Sequence, residues 1–376
     1  MSEYQYYEFQ AIDRPLTEQE TDELRQYSTR AHITPTSFIN HYQWGSFKGN
    51  PDQWMEKYFD VFFYFANWGT RELKLRFPST LLVPAIVGQY CNGRSASARA
   101  KNGKVVLSFS GGNEDFEWDD EPRLSTLLAV RSELASGDLR ALYIGWLLLV
   151  QHGELSEDDL EPPVPPGLNE LSAALHGLAD FLCIDFDLLH AAAQASAPLR
   201  HDEPGHDEAF RWIAQLTTAE KDALLTRLMI EDSRTGISEL RQRYRKEHSA
   251  ATELQAPQRT VRELLKSAET AAEDRQRIET EKRKREKARK EREAALAREI
   301  HLNGIAGREP ELWNRIESLL ATKQPKSYDM AVNLLVDLRE LDLRGKQNAF
   351  PARLQSLRHA HVNKTSFLRW LREQGL

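Results

Sequence analysis

The period of hydrophobic and polar positions changes several times along this chain, and each change predicts an element. Tyr4 to Ile12 is short and aromatic, which predicts a strand. Thr17 and Glu20 stand at capping-box spacing, so a helix is predicted from Glu18 to Tyr27. Thr36 to Trp44 is strand-like and Gly45 to Asn50 reads as a turn. Pro51 then opens a short helix through Tyr58. Val61 to Trp68 and Glu72 to Phe77 predict two strands about the turn Asn67-Trp68-Gly69. Arg94 to Ala100 and Lys104 to Phe109 flank Asn102-Gly103, the strongest short hairpin signal in the chain. This β-α-β-α-β-β order predicts an α+β domain over residues 1–110, ferredoxin-like in its connections.

Beyond residue 110 the period becomes helical. Gly111 to Pro122 reads as an acidic loop. Leu124 to Gln151 reads as helix with a break at Gly137, giving a helical extension over 111–160. Glu161 to Gly167 (EPPVPPG) is predicted to be a stiff proline linker and the clearest boundary. Leu168 to Leu182, Leu188 to Ala197, Ala209 to Ile230 and Ile237 to Lys246 predict an acidic helical domain over 168–250.

From Thr260 to Asn303 there is neither Pro nor Gly. Thr260 and Glu263 form a capping box, and Gly304 is the expected stop. The implied long helix, 258–303 with its approach, spans roughly 66 Å at 1.5 Å per residue. Its apolar seam (Val261, Leu264, Leu265, Ala268, Ala272) ends at Ile278, and Glu281 to Glu293 holds only Ala288. Glu279–Arg283, Glu281–Arg285 and Glu286–Lys290 are favourable i,i+4 pairs. A coiled coil needs a sustained a/d seam, so a solvated spacer helix is predicted. Residues 308–376 carry four short amphipathic faces, around Leu312 and Ile316, Tyr328 and Leu335, Leu354 and Leu357, and Phe367 and Leu371. They predict a helical-hairpin array.

Composition changes this picture little: 40% hydrophobic and 28% charged residues suit an ordinary buried core. The longest apolar stretch, Leu142 to Val150, is too short to cross a membrane. Met1 to Phe9 lacks the pattern of a signal peptide, and Cys91 and Cys183 read as buried thiols. A cytoplasmic protein without a membrane partner is expected. Charge is more informative. Residues 151–250 hold 9 Lys/Arg against 19 Asp/Glu, whereas 251–376 hold 26 against 19. That contrast suggests internal docking or an anionic partner, beside the bland reading of solvated helix surfaces.

Candidate chemistry is sparse. There is no HExxH, no paired Cys-x-x-Cys and no phosphate-cradling glycine loop, so no catalytic, cofactor or metal residue is assigned. Cys183-Ile184-Asp185-Phe186-Asp187 is similar to the nucleophile loop of haloacid-dehalogenase-like phosphatases. The surrounding helical periodicity favours a turn leading into an N-cap at Asp187. Leu178 to Leu182 with Leu188-Leu189 is similar to a helix-turn-helix core, yet its surroundings are acidic. His201 and His206 have metal-like neighbours but sit in a Pro-Gly loop, which favours a solvated segment. The aromatic head could stack bases, although core packing accounts for most of it. Trp44, Phe47 and Trp68 are the candidate partner-binding residues. Lys282, Arg283, Lys284 and Arg285 are candidate nucleic-acid contacts, blunted by interleaved glutamates.

Tyr7-Glu8-Phe9, Ile12 to Thr17, Trp44-Gly45-Ser46-Phe47-Lys48-Gly49 and Ala66 to Thr70 together resemble a widespread bacterial protein family. Tyr328 to Leu341 and Phe350 to Leu376 are similar to the helical tails of bacterial SWIM-zinc-finger proteins, without that finger's cysteines. The resemblance implies a bacterial, cytosolic protein and carries no activity with it. The expectation is a non-enzymatic scaffold with a protein partner. The alternative is a nucleic-acid-associated protein that uses its basic C-terminal third.

Overall fold

A computed structural model describes residues 3–112, 123–199, 206–230, 233–248, 259–322, 324–345 and 348–376. The period-two stretches form β1 (Gln5–Gln10), β2 (His32–Thr34), β3 (Ser37–Tyr42), β4 (Val61–Ala66), β5 (Thr70–Pro78), β6 (Ala96–Lys101) and β7 (Lys104–Gly112). They make one sheet in the order β2-β3-β1-β4-β5-β7-β6, antiparallel throughout. Asn102 and Gly103 both take positive φ between β6 and β7, as a two-residue hairpin turn requires.

The expected α+β head followed by a helical region is present. The strands that flank α1 (Glu18–Arg25) in the chain are β1 and β2; each pairs antiparallel with β3, so they run parallel with β3 between them. Thr17 and Glu20 do form the capping box that starts α1.

Alternation sorts the sheet into two faces. Phe63, Phe65, Leu73, Leu75, Phe77, Leu107 and Phe109 point to one. That face is covered by α4 (Leu124–Ala135), α5 (Arg140–Gln151), α6 (Ala173–Phe181) and α7 (Phe186–Ala193), with the short α3 (Pro84–Val87) at its margin. Helix α5 is buried on every side from Arg140 to Val150, as its all-round apolar sequence demands. Gly145 allows that approach: a Cβ there would lie 2.4 Å from the Phe109 ring.

On the opposite face, Tyr7, Phe9, Phe38 and Phe62 pack with Leu24 of α1 and with Trp54 and Met55 of α2 (Pro51–Lys57). This second core is centred on β3, β1 and β4; α2 reaches on to Lys74 and Arg76 of β5, and Val106 of β7 packs at its margin.

Two expectations about the middle of the chain are corrected. The proline segment divides nothing: Glu161, Pro162, Pro165 and Gly167 are buried. Tyr143 donates to Glu161, and Arg259 grips the same carboxylate at 2.7 and 2.8 Å. Proline stiffens a strap as readily as a linker, and a long-range charge pair decides which. Likewise α6 and α7 share the core under the sheet instead of starting a domain of their own. Helices α8 (His206–Gln215), α9 (Thr218–Ile230) and α10 (Ser233–His248) add a small cluster of Trp212, Leu216 and Tyr244.

Helix α11 runs from Val261 to Ile305, and the chain divides within it into compact units 1–275 and 276–376. The Thr260–Glu263 capping box is present. Gly304 lies inside the helix, and the left-handed stop falls instead at Gly307. In the second unit α12 (Glu309–Ala321), α13 (Pro325–Gly345), α14 (Phe350–Ala360) and α15 (Thr365–Glu373) merge their four apolar faces into one core.

Candidate functional site

The segment Ile12-Asp13-Arg14-Pro15 of the sequence resemblance resolves into a buried charge network. Asp60 is 0% exposed at the entry to β4. Its Oδ2 accepts from the N–H of Ile12 (2.7 Å) and of Asp13 (2.9 Å), and its Oδ1 accepts from Arg76 Nε (3.0 Å) and Nη2 (2.6 Å). Arg131 then binds both oxygens of Asp13 and donates to the Arg76 carbonyl. Burial opposes ionisation of Asp60, but Arg76, Arg131 and the two N–H groups hold its pKa below the ordinary aspartate value. At Asp13 burial prevails, supported by the Asp60 charge, and its pKa is raised. Every member has a partner, so the network locks the chain where it turns from β1 and offers no free acid or base.

Beside this network the outer face of the β5-β7-β6 half of the sheet is covered by α2 at Lys74 and Arg76 and open at Arg99 and Lys101. Its outward positions read Glu72, Lys74, Arg76 on β5; Val106, Ser108, Ser110 on β7; and Ser97, Arg99, Lys101 on β6. Lys74 lies opposite Ser108, and Ser108 opposite Ser97. The small serines between long charged residues leave a trough bounded by Asp52 and Glu56 of α2. One hollow of about 210 Å³ reaches Arg94, and an adjoining one of about 90 Å³ reaches Lys104. Lys74 is buried yet binds Asp52 (2.5 Å) and Glu72 (2.9 Å). Burial opposes its charge, and those carboxylates nevertheless raise its pKa. This surface was missed in the sequence, although the i,i+2 polar register on β5, β6 and β7 was its signal.

The three aromatic candidates separate. Gln5 of β1 lies opposite Tyr42 on one side and Ala66 on the other, so Trp44 and Trp68 emerge at the same end of the sheet. Gln5 Nε2 donates to the Gly45 carbonyl, and Tyr4 exchanges hydrogen bonds with Asn67. Trp44 is 72% exposed, with the Arg30 guanidinium 6.0 Å from its ring, and Trp68 is 44% exposed. Phe47 departs from them: its ring stacks on Tyr7 at 4.9 Å and meets Trp54 at 4.8 Å, joining the second core.

Lys282, Arg283, Lys284 and Arg285 lie on a stretch of α11 that is exposed at every position from Glu273 to Ala297. Arg283 pairs with Glu279 at 3.1 Å and Arg285 with Glu281 at 3.8 Å. Asp185 is the N-cap of α7, accepting from the Leu188 N–H; it replaces the expected cap at Asp187, which instead pairs with Arg275 at 2.7 Å. His201 to Gly205 lie outside the described residues, and His206 opens α8. Ser95 has His152 Nδ1 at 2.6 Å and donates to Glu154 at 2.5 Å, but Glu154 touches the serine and the Arg94 and Ser95 N–H groups, not the imidazole. That arrangement closes a loop and does not orient a base. Burial pushes the Cys91 thiol up to about 12, so it is a poor nucleophile. Among the described residues no helix is long and apolar enough to cross a membrane. Compared with protein-family models, with curated proteins and with solved structures, the chain finds no match.

Proposed function

We propose that this chain is a non-enzymatic scaffold that holds a protein partner. One observation carries the reading. Two units with separate hydrophobic cores are joined through a helix exposed on all sides from Glu273 to Ala297. Such a helix buries nothing, so its i,i+4 pairs are the local stabilisation it has. The helical-hairpin reading of residues 308–376 belongs to this proposal, and α12 lying along α13 supports it. Exposed Trp44 and Trp68 are the residues on which a partner would be anchored, since exposed aromatics are the common anchors of interfaces.

The test is a pull-down with the tagged full chain from a lysate of its native host, with and without nuclease. A stoichiometric protein retained after nuclease, and lost from the Trp44→Ala/Trp68→Ala variant, is the expected result. Recovery of nucleic acid alone would overturn the scaffold reading.

That outcome would favour a second reading, in which the basic C-terminal unit binds nucleic acid. Residues 276–376 hold 22 Lys/Arg against 14 Asp/Glu, and no acidic residue occurs from Leu343 to Arg372. Charge reversal at Lys282, Arg283, Lys284 and Arg285 would then weaken a strongly salt-dependent interaction.

A further inference from the structure

The trough on this partly open sheet face differs in charge from the unit that carries it. Residues 1–275 hold 28 Lys/Arg against 43 Asp/Glu. Around the trough the balance reverses: Lys74, Arg76, Arg94, Arg99, Lys101 and Lys104 stand against Asp52, Glu56 and Glu72.

Those acids are already engaged. Lys74 takes Asp52 and Glu72, and Lys101 takes Glu56 at 2.6 Å. Arg76 is occupied by Asp60 and by the Met55 and Glu56 carbonyls. Among the described residues Arg94 and Lys104 form no ion pair, and Arg99 has a single loose one to Asp52 at 3.6 Å. The floor adds the hydroxyls of Ser97, Ser108 and Ser110, none of which is hydrogen-bonded to a described side chain. Donors therefore converge on a hollow while the nearby acceptors are spent.

We infer that this trough binds a small phosphate-bearing metabolite. Arg94 and Arg99 supply planar forks for a tetrahedral oxyanion, and the serine hydroxyls supply neutral donors beneath it. Lys104, in the adjoining hollow, answers a second anionic group. A cavity of about 210 Å³ is small beside the sites that hold larger organic ligands, which favours a compact anion. No aromatic ring lines either hollow, so the trough lacks the stacking platform of a single-strand nucleic-acid site. The inference is independent of the scaffold reading.

The test is calorimetric titration of the full chain with inorganic pyrophosphate, with orthophosphate and a short single-stranded oligonucleotide as parallel arms. Pyrophosphate is expected to bind one to one and more tightly than orthophosphate. Arg99→Glu should weaken it at least about tenfold, the loss expected when one charge-assisted donor is replaced by a repelling charge. Ser97→Ala/Ser108→Ala should weaken it as well, and Arg283→Glu on α11 should leave it unchanged. Circular dichroism would check that each variant folds. No heat with pyrophosphate, equal affinity in Arg99→Glu, or binding of the oligonucleotide alone would each overturn the inference. No partner protein is present in the assay, so failure of the scaffold reading would leave its result intact.

Discussion

Arg76 holds Asp60 through two nitrogens on one carboxylate oxygen, at 3.0 and 2.6 Å, with both side chains buried. The pair joins β5 to the entry of β4 and fixes Ile12 and Asp13 through the other oxygen. Arg76→Met would leave the Asp60 charge buried without its main partner. The expected cost is about 3–5 kcal/mol in urea unfolding. A loss under about 1 kcal/mol would mean that water reaches Asp60 and that the network contributes little.

Glu20 gives the acid limb of stability a predictable slope. The Arg14 hydrogen bond and the Thr17 cap hold its pKa at about 2, below the ordinary 4.5. A depressed carboxylate contributes stability that is fully present above its unfolded pKa and is lost as pH falls through its folded pKa. The contribution should therefore be intact above pH 4.5 and fade between there and pH 2. Glu20→Gln keeps a capping side chain without the charge, so its unfolding free energy should fall less steeply in that window. An unchanged slope would show that Glu20 gains nothing from Arg14.

Gly145 is where α5 meets the sheet. Gly145→Ala places a methyl group 2.4 Å from the Phe109 ring, inside a core where both residues are buried. Overpacking of this kind costs about 1–3 kcal/mol, despite the better helix propensity of alanine. Thermal unfolding should show the loss, and a stabilised variant would mean that Phe109 moves aside freely.

Phe47 and Trp44 should behave oppositely although only two residues separate them. Phe47→Ala removes a ring from the aromatic core and should cost at least about 2 kcal/mol, somewhat below a fully buried phenylalanine. Trp44→Ala removes an exposed ring and should change stability by no more than about 0.5 kcal/mol. Its effect should appear in partner capture instead. Equal stability losses would place Trp44 in the core.

The elements legible in the sequence share a short range. The Thr17–Glu20 and Thr260–Glu263 boxes, the Asn102-Gly103 turn, the Pro51 start of α2 and the glutamate–arginine ladder of α11 all involve residues at most four apart. Their chemistry is complete within a few residues, so tertiary context had little to alter. The β4 aromatics were also legible, because a strand apolar on both faces has to be buried between two layers. Placing the long helix's end was harder: Gly304 tolerates a helical conformation, and only Gly307 adopts the left-handed one.

What the sequence by itself determined is therefore where most helices and strands begin, and that residues 273–297 stay in solvent. Tertiary structure decided the rest. EPPVPPG became a buried strap because Glu161 meets Arg259, 98 residues away. Phe47 went inward and Trp44 outward because Tyr7 and Trp54 lie on one side of the strand exit. The trough exists because three strands align their polar positions and α2, lying over β5, forms one wall and leaves the outer face of β7 and β6 partly open. Each outcome depends on which distant residues share a neighbourhood, and hydrophobic period encodes the face a residue points to, not the surface that face will meet.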